Sequence, residues 1–230
     1  MFNFNGKTPK EIIFNGKSLS KLLFNGDEVW RKSLLPSGYK RCEYLQSAVG
    51  KQWIDTNVIA TGSSVEFKAS VFQPGYGNAP QCVFWTRLTN SDFTSYGFIA
   101  NSSTQVRAYV GTPGYASATT TVSSYSNPIT VRMEKGRFTL NGKSYSISSN
   151  QTAVNYPIAL FHLFEQGKPH NGNSGNKVKI YYFKIFKNNE LVFDGIPALD
   201  ENNKPCMYDT VSKQTFYNQG TGEFLYAVAK

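Results

Sequence analysis

Along most of this chain apolar and polar residues alternate with a period of two. Val65, Phe67, Ala69 and Val71 alternate with Glu66, Lys68 and Ser70. Val106, Ala108 and Val110 alternate with Arg107 and Tyr109, and Ile129, Val131 and Met133 with Thr130, Arg132 and Glu134. Successive side chains of a strand point to opposite faces, so each run predicts a half-buried strand. Asn141-Gly142 separates Arg137–Leu140 from Lys143–Ile147. Both residues tolerate the positive φ of a type I′ turn, which predicts a hairpin. Val83-Phe84-Trp85 and Phe98-Ile99 read as buried pieces. Ile158 to Phe164 is apolar at both parities and predicts one central strand. Val178 to Phe186 predicts a long strand that Asn188-Asn189 turns into Glu190 to Phe193. Many short strands, separated by Gly, Pro and Asn and with hardly any helical period, predict an all-β chain folded as a two-sheet antiparallel β-sandwich or jelly roll.

A different pattern opens the sequence. Phe4-Asn5-Gly6, Phe14-Asn15-Gly16 and Phe24-Asn25-Gly26 recur at a spacing of ten residues. Lys7 and Lys17 follow the first two copies, Ile12-Ile13 and Leu22-Leu23 precede the second and third, and the run closes at Val29-Trp30. A fixed period means one structural unit used three times, here short strands joined by tight Asn-Gly turns. Thr8-Pro9-Lys10-Glu11 also fits a capping box with proline at the first helical position, so a helical turn inside the first repeat stays open. About thirty residues cannot bury a core of their own. The segment therefore needs the rest of the chain, copies of itself, or a partner surface. That need assigns Phe4, Asn5, Gly6, Phe14, Asn15, Gly16, Phe24, Asn25, Gly26 and Trp30 to anchoring or assembly, with Ile13 and Leu23 as further apolar surface to be buried. Pro36-Ser37-Gly38 breaks any regular element. The expected division is an anchor segment over residues 1–32, a linker over 33–38 and a sandwich over 39–230.

Composition sharpens this reading. A 230-residue chain holds one ordinary domain plus a short extension, or two small domains. Its high aromatic and low charged content favours pleated, half-buried surfaces. The net charge of +9 is spread along the chain with no run of the kind found in nucleic-acid arms, so no direct nucleic-acid partner is expected. The charge serves solubility, or a weak attraction to an anionic surface. Cys42, Cys82 and Cys206 are far apart and form no Cys-x-x-Cys pair; they read as buried free thiols. The first thirty residues hold no continuous apolar core, and no stretch is apolar enough to span a membrane, so neither a signal peptide nor membrane insertion is expected. The sequons at Asn101 and Asn150 are then chance matches.

Several chemistries fail on spacing. Gly16-Lys17-Ser18 and Gly142-Lys143-Ser144 lack the earlier glycine of a P-loop, where Glu11 and Arg137 stand instead. A glycosidase needs two carboxylates about 5–10 Å apart. No acidic residues alternate on one strand: Glu66 and Glu134 stand alone as outward positions, and Asp194, Asp200 and Glu201 read as turn residues. His162 reads as a core histidine with its hydrogen bonds satisfied and His170 as a surface one, without the converging ligands of a metal site. No cofactor or metal ligand set is expected; a structural calcium stays open, since carbonyls and scattered Asp suffice for it. Asp55 and Asp209 read as turn hydrogen-bond acceptors. Trp53, Trp85, Tyr76, Tyr96 and Tyr115 could stack on sugar rings. Trp53, Trp85, Tyr76 and Tyr115 are the candidate glycan-binding residues, and Tyr76 and Tyr115 lie in the Gly/Pro-rich loops where a sandwich places such sites.

Two stretches resemble a known family. One is Leu35-Pro36-Ser37-Gly38-Tyr39, Glu43-Tyr44-Leu45 and Gln52-Trp53-Ile54-Asp55-Thr56. The other runs through Ile180-Tyr181-Tyr182-Phe183-Lys184-Ile185, Ile196-Pro197-Ala198 and Met207-Tyr208-Asp209 to Phe216-Tyr217-Asn218-Gln219-Gly220-Thr221-Gly222-Glu223-Phe224. Together they resemble the concanavalin-like (laminin-G-like) jelly rolls of phage and prophage proteins of gut bacteria, and the decapeptide repeats resemble segments that precede that domain. Cys206, where a small residue is usual, and Gln46 to Gly50 depart from the pattern, so no binding site is carried over. The resemblance implies a non-enzymatic virion structural protein, a head fibre or tail fibre, made in the bacterial cytoplasm. It implies capsid or tail proteins as partners, a homotrimer as the favoured oligomer, and host surface glycans as ligands of the jelly roll. A free carbohydrate-binding lectin or adhesin is the alternative, and a polysaccharide depolymerase a more distant one.

Overall fold

The computed structural model describes residues 11–19, 21–24, 27–31, 34–47, 51–71, 81–89, 94–111, 115–119, 127–148, 154–170 and 177–229. Phe4, Asn5, Gly6, Asn25, Gly26, Tyr76 and most of the capping-box sequence, Thr8 to Lys10, lie outside the described residues. The chain divides into two compact units, Met1–Gly38 and Tyr39–Lys230.

In the first unit the second and third decapeptides each fold as one hairpin. Strand β1 (Ile13–Phe14) pairs antiparallel with β2 (Lys17–Ser18), and β3 (Lys21–Phe24) with β4 (Asp27–Arg31). Phe14 faces Lys17, so Asn15-Gly16 forms a two-residue loop, and Phe24 faces Asp27. Asn15 at φ 49° and Gly16 at φ 74° give the predicted type I′ turn, whose twist matches that of the flanking strands. The Leu19 amide donates to the Ile12 carbonyl at 2.8 Å and extends the first hairpin by a rung.

The second unit continues with β5 (Lys40–Gln46), β6 (Ile54–Ile59), β7 (Ser63–Val71), β8 (Gln81–Arg87), β9 (Ser95–Ser102) and β10 (Gln105–Gly111). Then come β11 (Tyr115–Thr119), β12 (Ile129–Glu134), β13 (Arg137–Leu140), β14 (Lys143–Ser146), β15 (Pro157–Leu160), β16 (Leu163–Glu165) and β17 (Lys168–Pro169). The last are β18 (Val178–Lys187), β19 (Glu190–Leu199), β20 (Pro205–Asp209), β21 (Thr215–Tyr217) and β22 (Leu225–Val228). No helix occurs among the described residues. The larger sheet runs β14-β13-β12-β7-β18-β5-β19-β20-β21, with β22 beside β5. The smaller runs β11-β10-β9-β8-β15-β6, with β16 also on β8 and β17 on β16. Pairing is antiparallel except between β16 and β8. The two sheets pack face to face as a β-sandwich of the jelly-roll kind.

On β7 and β12 the core positions are the inward ones that the alternation marked. Val65, Phe67 and Ala69 of β7 and Val131 and Met133 of β12 are fully buried, with Val178, Ile180, Phe183 and Ile185 of β18. The smaller sheet answers with Val83, Phe84, Phe98, Ala100, Val106 and Ala108. Asn141-Gly142 and Asn188-Asn189 both form turns with two positive φ values, as their residue types require.

Ile158 to Phe164 does not form the single strand its apolarity predicts. Phe161, buried with φ 68°, breaks it into β15 and β16. Pairing with β8 changes from antiparallel at β15 to parallel at β16, and backbone bonds continue through the break: the Phe161 amide donates to the Val83 carbonyl at 2.7 Å, and the Trp85 amide to the His162 carbonyl at 3.3 Å. Apolarity at both parities has its own cause, because this segment contributes to both faces of the sheet. Leu160 and Phe161 face the main core, while Leu163 joins a second cluster with Cys82, Ile99 and Tyr109.

Phe67 joins the layers. Its ring stacks on Phe183 at 5.5 Å and meets Phe84 and Phe98 edge-on at 6.0 and 5.3 Å. Phe67→Ala removes a fully buried ring at the crossing and is expected to cost about 3–5 kcal/mol, and Phe67→Leu clearly less. Denaturant midpoints of the three proteins check this; equal midpoints for wild type and Phe67→Ala would refute the hub role.

Candidate functional site

The N-terminal hairpin carries apolar side chains on both sides. Ile13 and Phe14 are successive residues of β1 and so point to opposite faces; they are 64% and 66% exposed. Two strands alone have no interior to receive them.

On the sandwich, the outer face of the smaller sheet brings two of the four candidate glycan-binding residues together. Trp85 of β8 lies opposite Gly97 of β9, Gly97 opposite Tyr109 of β10, and Tyr109 opposite Tyr115 of β11. The alternation that sends Phe84 and Phe98 inward sends these outward. Gly97 leaves the gap that lets Trp85 lean across the strand: a Cβ there would stand 2.7 Å from Trp85 Cδ1 and 2.8 Å from the Phe84 carbonyl oxygen. Trp85 stacks on Tyr109 at 5.2 Å with planes 16° apart, and Tyr109 meets Tyr115 at 5.5 Å. Guanidinium groups flank the row, Arg87 at 5.3 Å from Trp85 and Arg107 at 5.1 Å from Tyr115. Tyr109 is only 7% exposed and Tyr115 51%, so Tyr115 gives the row its accessible end. Among the described residues the Trp85 indole N–H is buried without a hydrogen-bond partner, as are Thr86 Oγ1 and His162 Nδ1, so His162 is a core histidine but not the satisfied one expected.

Trp53 stands elsewhere, its faces turned to the protein. It stacks on His162 at 5.8 Å and meets Phe164 edge-on at 6.0 Å. The chain over residues 218–221 crosses it, with Gln219 N–H donating to the Trp53 carbonyl and Thr221 N–H to the Lys51 carbonyl, both at 3.0 Å. A Cβ on Gly220 would fall 1.7 Å from the Lys51 carbonyl oxygen and 2.6 Å from the indole, so no larger residue fits. Tyr96 is buried against Phe84 at 5.5 Å and donates its hydroxyl proton to the Ser63 carbonyl at 3.1 Å; burial pushes its phenol up.

The acidic residues are engaged locally. Glu66 and Glu134 straddle Arg132 at 3.6 and 3.8 Å, and Glu134 also binds Arg137. Asp194, read from sequence as a turn residue, lies in β19 and accepts from the Thr210 hydroxyl at 2.9 Å. Asp209 accepts the amides of Asp194, Val211 and Ser212 at 2.8–3.0 Å, together with the Ser212 hydroxyl. Asp55, read from sequence as a turn acceptor, lies in β6 and accepts the Asn57 amide at 2.7 Å. Asp200 accepts the amides of Asn202 and Lys204 and the Tyr217 hydroxyl. Among the described residues no group of three His, Cys, Asp or Glu is placed to hold a metal ion. All three cysteines are free and buried, and burial raises their thiols to about 11 at Cys42 and about 12 at Cys82 and Cys206. A polar cleft of about 350 Å³ lies between the turns at 62–64, 134–135 and 188–189. Its one carboxylate, Glu134, is already neutralised by arginine.

Tyr109, Arg107 and Gly97 complete the outer row and went unmarked as site residues in the sequence. Arg107 and Tyr109 were visible as outward positions of one strand, but only register shows what they meet.

No family model matches the chain, and no curated protein matches it.

Two outcomes follow from this geometry. Gly97→Ala forces the Trp85 ring or the β8 backbone aside and is expected to destabilise by about 1–3 kcal/mol; thermal melts with tryptophan fluorescence test it, and an unchanged melt and spectrum would refute the close approach. Burial, and after it the charge of His170, hold the His162 imidazole below its ordinary 6.5. The folded state thus binds this proton less readily than the unfolded chain, so His162 contributes stability that is complete above pH 6.5 and is lost as pH falls below it. His162→Phe keeps a ring against Trp53 without the titration. Its unfolding free energy should fall less than that of the wild type between pH 7.5 and 5; parallel curves would contradict the assignment.

Proposed function

We propose that this chain is a non-enzymatic attachment protein of the virion head-fibre or tail-fibre type that its motifs resemble. The N-terminal hairpins anchor it to a particle and hold it as a homotrimer. The sandwich projects outward and engages surface glycans through the outer face of its smaller sheet. The observation that carries this reading is the separate N-terminal unit with Ile13 and Phe14 about two-thirds exposed on opposite faces of one hairpin. A hairpin of that kind gains stability only when something covers both faces, and a repeated unit offers the same complementary surface to each copy of the chain. A monomeric lectin shares the sandwich and the aromatic row but has no use for the repeats; the aromatic row is what favours it as the second reading.

Light scattering after size exclusion separates the two. The full-length protein is expected at three times the chain mass, and a variant starting at Leu35 at the monomer mass with its sandwich still folded. Replacing Ile13 and Phe14 together by Asp should have the same effect as the truncation. If full-length and shortened proteins were both monomers, assembly through the repeats would be wrong.

A further inference from the structure

The accessible end of the aromatic row holds an oriented guanidinium. Arg107 Nε donates to Gln105 Oε1 at 3.2 Å, and the same oxygen accepts from Asn101 Nδ2 at 3.0 Å. The guanidinium carbon stands 5.1 Å from the centre of the Tyr115 ring. These contacts engage one edge and the plane of the group, and among the described residues leave the two terminal nitrogens of the fork uncommitted. Among the described residues no carboxylate pairs with Arg107.

The other arginines beside aromatic rings differ. Arg87, on the same face, is nearly buried, and Glu165 takes both its Nε and its Nη2, at 2.9 and 2.7 Å. Arg132, on the larger sheet, lies over Phe186 but sits between Glu66 and Glu134. Arg107 therefore presents a single positive charge next to a half-exposed phenol ring, on a chain of net charge +9.

We propose that Arg107 and Tyr115 form a subsite for a uronic-acid residue of a glycan. This rests on the glycan-binding reading above and narrows it to acidic sugars. A planar carboxylate matches the guanidinium fork with two parallel hydrogen bonds. The apolar face of the same sugar ring would lie against Tyr115, with Asn101, which shares Gln105 with Arg107, and Ser117, directly opposite Arg107 in the strand pairing, as neighbouring polar side chains. One guanidinium balances one carboxylate. A phosphodiester is also a monoanion that a guanidinium can hold through two oxygens, so the phosphodiester glycan enters the test as the competing ligand.

The test uses the full-length protein and three immobilised polysaccharides: polygalacturonate, its methyl ester and a phosphodiester-linked glycan. Polygalacturonate should bind, more weakly as salt rises. Methyl esterification and Arg107→Gln should each weaken binding about tenfold or more. Arg107→Lys, which keeps the charge and loses the fork, should fall between Gln and wild type. Tyr115→Ala should weaken both acid and ester, and Arg132→Gln neither. Equal binding of acid and ester, or unchanged affinity in Arg107→Gln, overturns the acidic subsite while leaving glycan binding in place. Preference for the phosphodiester glycan overturns it as well. Binding of none of the three by a correctly melting protein overturns both this inference and the glycan-binding reading. Comparing acid with ester needs only wild-type protein, so the test survives a variant that fails to fold.

Discussion

One aromatic crossing holds the sandwich together. A two-sheet fold without helices depends on side chains interdigitating across a gap of about 10 Å, and Phe67 spans it. It stacks on Phe183 of its own sheet and meets Phe84 and Phe98 of the other. Phe84 also touches Phe183 and Tyr96, and Phe98 touches Phe138. The outer surface follows from this inner one. Because side chains alternate, locking Phe84 and Phe98 inward fixes Trp85 and Gly97 outward, and the row from Trp85 to Tyr115 is the reverse side of the core.

Local chemistry was legible in the sequence and register was not. Period-two alternation found β7, β10 and β12 and named their core-facing residues, but Ser70 and Tyr109, read as outward, are buried as well. The Asn-Gly and Asn-Asn turns were legible because positive φ is a property of the turn residues themselves. The apolar run from Ile158 to Phe164 misled, since apolarity cannot tell one strand from two that press against both faces of a sheet. The partners of Trp85 could not be seen either: Gly97 and Tyr109 meet it through pairings between strands separated by loops. The same is true of Trp53, which reads as a possible sugar platform until Gly220, near the other end of the chain, is found lying across it.

The stretches that carry the family resemblance pack on one another. Lys51 and Trp53 bind residues 218–221 through backbone hydrogen bonds, Ile196-Pro197-Ala198 pairs with Cys206-Met207-Tyr208, and Tyr39 lies against Tyr208 at 5.8 Å. Those residues are held by backbone geometry and close approach, so they mark an architecture. The face that differs chemically from a bare scaffold, with Arg107 and Tyr115, belongs to the middle of the chain, where the resemblance rests on strand pattern alone. The residues that mark the fold and those of the proposed ligand face thus lie in separate parts of the sequence.

The buried thiols have a practical corollary. With Cys42, Cys82 and Cys206 shielded and their thiols raised to about 11 or 12, almost no thiolate exists near neutral pH. Shielding of this kind predicts slow reaction of the folded chain with maleimide and with air. A cysteine placed at an exposed turn would be the sole reactive handle, so a dye or spin label could be attached at one chosen point without first removing the native three.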